Sequence, residues 1–222
     1  MTGNSGGSKQ TGPASVLGGA RFIPVITIER RDDGVPLARA LIAGGVNVVE
    51  ITLRTTEAIH AAEQIAREVP EAILGIGTLR TAQDLAHARS AGAHFALSAG
   101  ATPELLDAAA ADGMPFVPGI ATASELLAAV VRGFTVVKLF PAVQVGGIPT
   151  LKALAGPFPD VKFCPTGGIS EDNINDWLAQ PNVLAAGGSW VVPPDEIRDG
   201  NWDKITERAR RVIARIGEAA GK

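Results

Sequence analysis

A single lysine stands inside an apolar, β-branched stretch of the chain. The stretch FTVVKLFPA covers residues 134–142, and Lys138 is its one charged residue. Apolar runs of this length predict a buried strand of a parallel sheet. Burying a lysine costs on the order of several kcal/mol unless the amine is paired, neutralised or used. We therefore interpret Lys138 as an amine nucleophile held in a dry pocket.

An amine in such a pocket has a specific chemistry. Burial favours the neutral form of a lysine, and a neutral amine adds to a ketone or aldehyde to give a Schiff base. The protonated imine then withdraws electrons, so a carbon–carbon bond one atom away can break or form through an enamine. This reaction also needs a group that moves protons. Glu50, in NVVEITLRT, is the only carboxylate among the predicted strand ends.

Further polar residues follow other predicted strands. Arg54 comes just after the strand of Glu50, and its planar, bidentate donors suit a substrate carboxylate. Thr78 ends the run GIGT and can share that task, whereas Thr166 lies in CPTGG. We therefore expect one end of the predicted strands to carry a carboxylate, a guanidinium, two hydroxyls and an amine.

Two glycine pairs complete this set of groups. Gly167 and Gly168 come at the end of the seventh predicted strand, and Gly187, Gly188 and Ser189 come at the end of the eighth. Parallel barrels often bind phosphate at these two loops, where glycines let backbone N–H groups approach the oxygens. One glycine pair alone is weak evidence, but two pairs at both expected loops are stronger. A 2-keto acid with a phosphate at its far end would meet every group identified.

Strand-like and helical patterns alternate along the chain. Candidate helix ends, marked by glycine or proline, recur every 20 to 25 residues. Thr81 and Thr122 are predicted helix N-caps, and Thr102 precedes a proline at a first helical position. Eight strand–helix units predict an α/β protein, a (β/α)8 TIM barrel forming one domain over 13–222. A doubly wound open sheet is the alternative, weakened because no GxGxxG follows the first strand. The predicted strands are 22–28, 48–52, 72–78, 95–99, 116–120, 136–141, 162–168 and 183–190.

Composition narrows the class of protein. A net charge of -3 and a pI near 5.6 indicate no general affinity for nucleic acid or anionic membranes. The chain has no apolar run long enough to span a bilayer and no signal-like core at its start. Cys164 is the single cysteine, which suits the reducing cytoplasm, and it is predicted to be a buried structural thiol. The Gly/Ser/Thr-rich residues 1–12 are predicted to form a disordered tail.

Other interpretations of these residues stay open at this point. Glu50 and Lys138 could form a structural ion pair inside a barrel. Arg54 could lie unused in a loop, and Thr78 and Thr166 are also ordinary strand residues. The three histidines form no cluster with metal-ligand spacing, so neither a metal site nor a cofactor is predicted. A sugar-phosphate isomerase and a non-catalytic phosphosugar-binding barrel are therefore alternative functions.

Several motifs, in one order, make a family resemblance specific. VVEITLRT, GIGT, VVKLFPA, KALAGPF, FCPTGGI and GGSW resemble the bacterial class I 2-keto-3-deoxy-6-phosphogluconate (KDPG) aldolases. That family also acts as 4-hydroxy-2-oxoglutarate (KHG) aldolase. The resemblance runs from about Pro24 to Trp190. It implies metal-independent cleavage of KDPG to pyruvate and glyceraldehyde 3-phosphate, or of KHG to pyruvate and glyoxylate, by a homotrimer of barrels.

The resemblance also implies roles for individual residues. Lys138 would form the Schiff base, and Glu50 would move protons to and from the substrate through water. Arg54 and Thr78 would hold the pyruvyl carboxylate. Thr166 and Phe140 would line the pocket, and the phosphate would be bound by Gly167, Gly168, Gly188 and Ser189.

This chain departs from the family pattern at two positions. Ala99 stands where the family usually has a proline, and Val143 stands where an acidic residue is common. A proline would stiffen the rim after the fourth strand, so Ala99 changes that loop. The threonine of CPTGG favours a gluconate-type over a galactonate-type substrate, by resemblance.

Overall fold

Short parallel strands alternate with helices in the computed structural model, which describes residues 12–220. The strands are β1 (Phe22–Ile26), β2 (Val48–Thr52), β3 (Ile73–Leu79), β4 (Phe95–Ser98), β5 (Phe116–Val117), β6 (Gly119–Ile120), β7 (Val136–Leu139), β8 (Lys162–Phe163) and β9 (Ala186–Gly188). The α-helices are α1 (Pro13–Val16), α2 (Gly34–Ala43), α3 (Ala58–Glu68), α4 (Ala82–Ser90), α5 (Pro103–Asp112), α6 (Ala123–Val130), α7 (Gly147–Ala155), α8 (Ile174–Leu178), α9 (Pro194–Arg198) and α10 (Trp202–Ala220). A 3-10 helix (Arg31–Asp33) precedes α2.

The strands close into a barrel. One parallel sheet has the order β5-β4-β3-β2-β1-β9, and a second has the order β6-β7-β8. Only Pro118 separates β5 from β6, so one extended segment belongs to both sheets. On the other side, parallel bridges join Phe163 to Val183 and Thr166 to Gly187. Eight extended segments thus form the predicted (β/α)8 barrel, and the open doubly wound sheet is wrong.

The observed strands differ from the predicted ones mainly in length. The predicted strand 116–120 is divided at Pro118, which has no N–H group to donate to the ladder. Its carbonyl still accepts a hydrogen bond of 2.8 Å from the Lys138 N–H, so the barrel stays continuous there. The eighth strand is only Ala186–Gly188, because the chain before it forms a single bridge at Val183.

One end of the barrel interior is filled by apolar side chains. These residues lie on the strands or directly beside them, and Leu17, which follows α1, packs among them. The α1 segment therefore covers the N-terminal end of the barrel, so that this end is a packed core. The cluster consists of Leu17, Ile23, Val48, Phe95, Leu97, Val117, Val136, Cys164 and Ala185.

Local signals set several helix starts. Thr81 and Thr122 form capping boxes with Asp84 and Glu125, and the Thr102 side chain caps α5, as predicted. No described helix has the length and apolar character needed to cross a bilayer. Apart from Gly12, the predicted tail 1–12 lies outside the described residues, and a single domain over 13–222 stays a prediction.

Replacing Leu17 should test whether the α1 segment stabilises the barrel end. Leu17 is 1% exposed, so Leu17→Ala is expected to lower the free energy of unfolding by about 2–5 kcal/mol. Urea denaturation followed by circular dichroism measures the change. Val16→Ala, at the partly buried neighbour, is the control and should cost less than about 1.5 kcal/mol. Equal effects of the two substitutions would contradict the assignment.

Candidate active site

Lys138 and Glu50 meet inside the barrel. The Lys138 Nζ donates a hydrogen bond of 2.9 Å to Glu50 Oε1, and the two side chains are 5% and 1% exposed. Lys138 lies on β7 and Glu50 on β2, with three barrel segments between them on either side. The pair therefore crosses the barrel interior from one wall to the opposite wall. Water screens such a buried pair much less than a surface pair.

A cavity of about 310 Å³ lies at the C-terminal ends of the strands. The Lys138 Nζ is 5.8 Å from the centroid of the Phe140 ring, which forms part of the cavity wall. This places the amine below the cavity, at the edge of the dry interior. The cavity is lined by Val25, Arg54, Phe140, Thr166, Gly167, Gly168, Ile169, Gly187, Gly188 and Ser189. Its volume is near the lower end of the range typical of small-molecule sites.

The structure brings together most of the residues predicted from the sequence. Seven of them line the one cavity: Arg54, Phe140, Thr166, Gly167, Gly168, Gly188 and Ser189. Gly167 and Gly168 have φ values of 100° and 79°, a backbone conformation that glycine adopts at little cost. Two glycine-containing turns and an exposed guanidinium therefore face the same space. Such a space suits an anionic ligand.

Thr78 is the one predicted substrate-binding residue that does not line this cavity. It is half-buried at the end of β3, and its φ of 66° is the only positive φ of a non-glycine residue among residues 12–220. A β-branched residue in this conformation is strained by on the order of 1–3 kcal/mol. The pairing of β3 with β4 also shifts register between Ile76 and Leu79. Backbone strain of this kind is often found at functional sites, so the conformation of Thr78 is compatible with a role in the site.

Gly77, which precedes Thr78, contacts the carboxylate of the pair. A Cβ atom built on Gly77 would lie 2.0 Å from Glu50 Oε1. The glycine therefore provides the space that the carboxylate occupies. Sequence reasoning identified Thr78 in this motif and missed Gly77. The alternation of inward and outward residues along β3 could have identified an inward glycine, but not the side chain that fills its space.

Three further residues of the cavity wall were also missed. Val25 follows Ile23 at the inward spacing of two residues, so alternation along β1 could have identified it. Gly187 belongs to the predicted glycine pair but was not singled out. Ile169 gave no signal beyond its place after the glycines.

The two departures from the family pattern lie near the site. Val143 is 45% exposed and contacts Gly168, where an added Cβ would lie 2.5 Å from its Cγ2. The backbone of Ala99 packs against Gly119, which pairs with Lys138 in the sheet. An apolar side chain therefore covers one glycine of the cavity wall.

Cys164 lies in the apolar core next to the charged pair. Burial raises the pKa of its thiol to about 12, although a hydrogen bond with the backbone of Ala185 and the nearby Lys138 charge oppose this shift. The thiol therefore stays protonated at neutral pH and is a poor nucleophile. Among residues 12–220, no group of three or more His, Cys, Asp or Glu side chains is placed to hold a metal ion.

Fold and site together define a class of protein. This class is the (β/α)8-barrel enzymes that hold a lysine inside the barrel, below a cavity at the C-terminal ends of the strands. The family is more specific: residues 14–208 match the family model for KDPG and KHG aldolases, and the chain belongs to this family. The predicted family, barrel fold and metal-independent aldolase class are confirmed.

Individual relatives agree with this assignment. The 2-dehydro-3-deoxy-phosphogluconate aldolase of Pseudoalteromonas atlantica is 50% identical over 86% of this chain and 89% of its own. The KHG/KDPG aldolase of Escherichia coli is 48% identical over 92% of this chain and 96% of its own. The crystal structure of the Legionella pneumophila KDPG aldolase holds pyruvate as a covalent carbinolamine. It is 46% identical, with a TM-score of 0.88, and the match covers 91% of this chain and 98% of that one.

Thiol reagents should react slowly with the native protein. At pH 8, Cys164 is expected to resist Ellman's reagent, because it is 1% exposed and its pKa is raised to about 12. Absorbance of the released thiolate measures the reaction, with protein unfolded in guanidinium as the reactive reference. Between pH 9.0 and about 12 the unfolded chain releases this proton first, so the free energy of unfolding should fall as pH rises.

Cys164→Ala is the matched control for both measurements. It should give no colour even when unfolded, and it should lack this part of the pH dependence. Rapid labelling of the native wild-type protein would contradict the assignment of a buried, protonated thiol.

Proposed function

We propose that this protein cleaves KDPG to pyruvate and glyceraldehyde 3-phosphate, and KHG to pyruvate and glyoxylate, through a Schiff base on Lys138. The contact of 2.9 Å between the buried Lys138 amine and Glu50 carries the proposal, together with membership of the aldolase family. A purely structural ion pair would leave the cavity above it unexplained. Neither an isomerase nor a non-catalytic barrel accounts for the family match.

The proposed reaction begins with a proton transfer within the pair. Glu50 accepts a proton from Lys138, and the neutral amine adds to the C2 carbonyl of the substrate. Glu50 returns this proton to the hydroxyl group of the adduct, and loss of water gives a protonated imine and restores the Glu50 carboxylate. The Glu50 carboxylate then accepts the proton of the C4 hydroxyl through a water molecule. The C3–C4 bond breaks, and its electron pair forms an enamine as the imine electrons move to nitrogen.

The second half of the reaction returns the enzyme to its starting state. Glyceraldehyde 3-phosphate is released as the aldehyde product, and Glu50 delivers a proton to C3 of the enamine. Water then adds to the imine carbon and displaces the Lys138 amine, which releases pyruvate. Each proton removed by Glu50 is returned, so the cycle needs neither a metal ion nor an external oxidant.

The remaining predicted residues would hold the substrate. Arg54 and Thr78 are proposed to bind the pyruvyl carboxylate, and Thr166 and Phe140 to line the reacting part of the cavity. The phosphate is proposed to bind at the two glycine turns, through Gly167, Gly168, Gly188 and Ser189. Their common place on one cavity wall supports the phosphate site. For Thr78 the support is its strained backbone beside Gly77.

The family resemblance supports a further proposal on assembly and location. We propose that the protein acts as a homotrimer in the cytoplasm, with a phosphorylated 2-keto acid as its substrate. The threonine of CPTGG supports a gluconate-type substrate by the same resemblance.

Chemical trapping tests the Schiff base. Reduction with borohydride in the presence of pyruvate should add one reduced pyruvyl group at Lys138, located by peptide mass spectrometry. Lys138→Arg keeps a positive charge beside Glu50 but offers no amine of comparable reactivity. It should form no adduct and lose at least about 10³-fold in kcat. A wild-type protein without an adduct, or with one at another lysine, would reject the mechanism.

A negative charge introduced at the glycine turns tests the proposed phosphate site. Ser189→Asp should raise KM for KDPG at least about tenfold, because the new carboxylate repels phosphate at close range. KM for the unphosphorylated sugar acid, 2-keto-3-deoxygluconate, should change less than about threefold. Ser124→Asp, on the exposed surface of α6, is the matched control. Equal effects on both substrates would place the phosphate elsewhere.

A further inference from the structure

Gly77 shows an unusually close approach to a charged side chain. A Cβ atom at this position would lie 2.0 Å from Oε1, 2.7 Å from Cδ and 2.8 Å from Cγ of Glu50. Heavy atoms do not approach a real Cβ closer than about 3 Å. An alanine at this position would therefore displace the carboxylate oxygen by at least about 1 Å. The same Oε1 accepts the hydrogen bond from Lys138 Nζ.

The backbone of Gly77 does not itself require glycine. Its φ is not among the positive values of the described residues, and it pairs with Thr52 in the regular parallel ladder of β2 and β3. An L-residue can adopt this conformation without strain. The absent side chain therefore matters because of the space it leaves, and this space is filled by Glu50.

Little else can move to relieve a contact there. The Gly77 carbonyl accepts a hydrogen bond of 2.9 Å from the Leu53 N–H, and Gly77 pairs with Thr52, so β2 holds this segment in place. Thr78, which follows directly, is already in a strained conformation. Glu50 is only 1% exposed, so its carboxylate has no open route to solvent. The side chain of Glu50 is the part that would shift.

We propose that Gly77 is a positioning residue that places the Glu50 carboxylate at the reacting atoms. The inference rests on the proposed aldolase function, since it assigns Gly77 a role through the proton transfers of Glu50. Proton transfer depends steeply on distance, and a misplacement of 1 Å can cost on the order of 10²-fold in rate. Formation of the imine at equilibrium depends on the Lys138 amine and depends less on the exact position of the carboxylate.

Experiments with pyruvate as the only substrate separate imine formation from proton transfer. In its imine with Lys138, Glu50 removes a proton from C3, the C–H electron pair becomes the C=C bond, and the C=N pair moves to nitrogen. Return of a deuteron from D2O reverses the step and leaves a labelled methyl group. Proton NMR of the methyl signal thus measures proton transfer, whereas borohydride reduction at equilibrium measures the imine.

Gly77→Ala should separate the two measurements. We expect the fraction trapped as adduct to stay within about twofold of wild type, while methyl exchange falls at least about tenfold. Gly75→Ala is the matched control, because it adds the same methyl group to the same strand, where its Cβ would meet the Phe95 ring at 2.4 Å. It should lower stability but leave exchange in the folded protein nearly unchanged.

Substitutions at Glu50 show whether Gly77 acts through that residue. Exchange in Gly77→Ala/Glu50→Gln should equal that in Glu50→Gln alone, since the carboxylate that Gly77 positions is already absent. Glu50→Asp shortens the side chain by one carbon, which removes the closest contact with a new methyl group, at 2.0 Å to Oε1, and leaves the milder one at 2.8 Å to Cγ. When residue 77 is glycine, methyl exchange should therefore be faster with Glu50 than with Glu50→Asp. When Gly77→Ala is present, methyl exchange should instead be faster with Glu50→Asp than with Glu50.

The results distinguish this inference from the proposed function. Wild-type protein that neither traps pyruvate nor exchanges its methyl hydrogens would reject the aldolase mechanism. Exchange at the wild-type rate in Gly77→Ala, or independent effects of the two sites, would overturn the role of Gly77 alone. If Gly77→Ala does not fold, Gly77→Ala/Glu50→Asp is compared with Glu50→Asp. Equal rates of methyl exchange in these two variants support the inference, and a tenfold slower rate in Gly77→Ala/Glu50→Asp overturns it.

Discussion

The buried pair of Lys138 and Glu50 is the interaction on which the rest of the structure depends. Either charge alone in the barrel interior would be unfavourable by several kcal/mol, on the order expected for an unpaired buried ion. Together they are compatible with the fold only because two opposite strands bring them to 2.9 Å. Their burial keeps water from competing for the amine. In the proposed mechanism, the contact that makes the two charges tolerable also allows proton transfer between them.

The barrel interior has two parts with different physical roles. At the N-terminal end, apolar side chains and Leu17 form a tightly packed core. At the C-terminal end, the side chains become small or polar, and a cavity of about 310 Å³ remains. Rigid packing below fixes the strands, and this allows glycines above to leave space without a loss of order. The fold therefore tolerates Gly77 and the glycine turns, because the packed core at the N-terminal end holds the strands in place.

Sequence reasoning succeeded where a residue conflicted with its surroundings. Lys138 in an apolar strand, Glu50 between valines and paired glycines at two strand ends could all be interpreted locally. It missed features that depend on a neighbouring strand. The role of Gly77 follows from a side chain 27 residues earlier, and the conformation of Thr78 accompanies a register shift between β3 and β4. The division of the fifth strand required only Pro118, whose missing donor was visible in the sequence.

The two members of the pair belong to different sheets, since Glu50 lies on β2 of the six-stranded sheet and Lys138 on β7 of the three-stranded sheet. Neither sheet alone contains both partners. A fragment that ends before β6 would bury a carboxylate with no counter-ion. The charged pair therefore exists only when both sheets are present in one barrel. Gene duplication, or exchange of one sheet for that of another protein, would have to preserve the contact between Glu50 and Lys138.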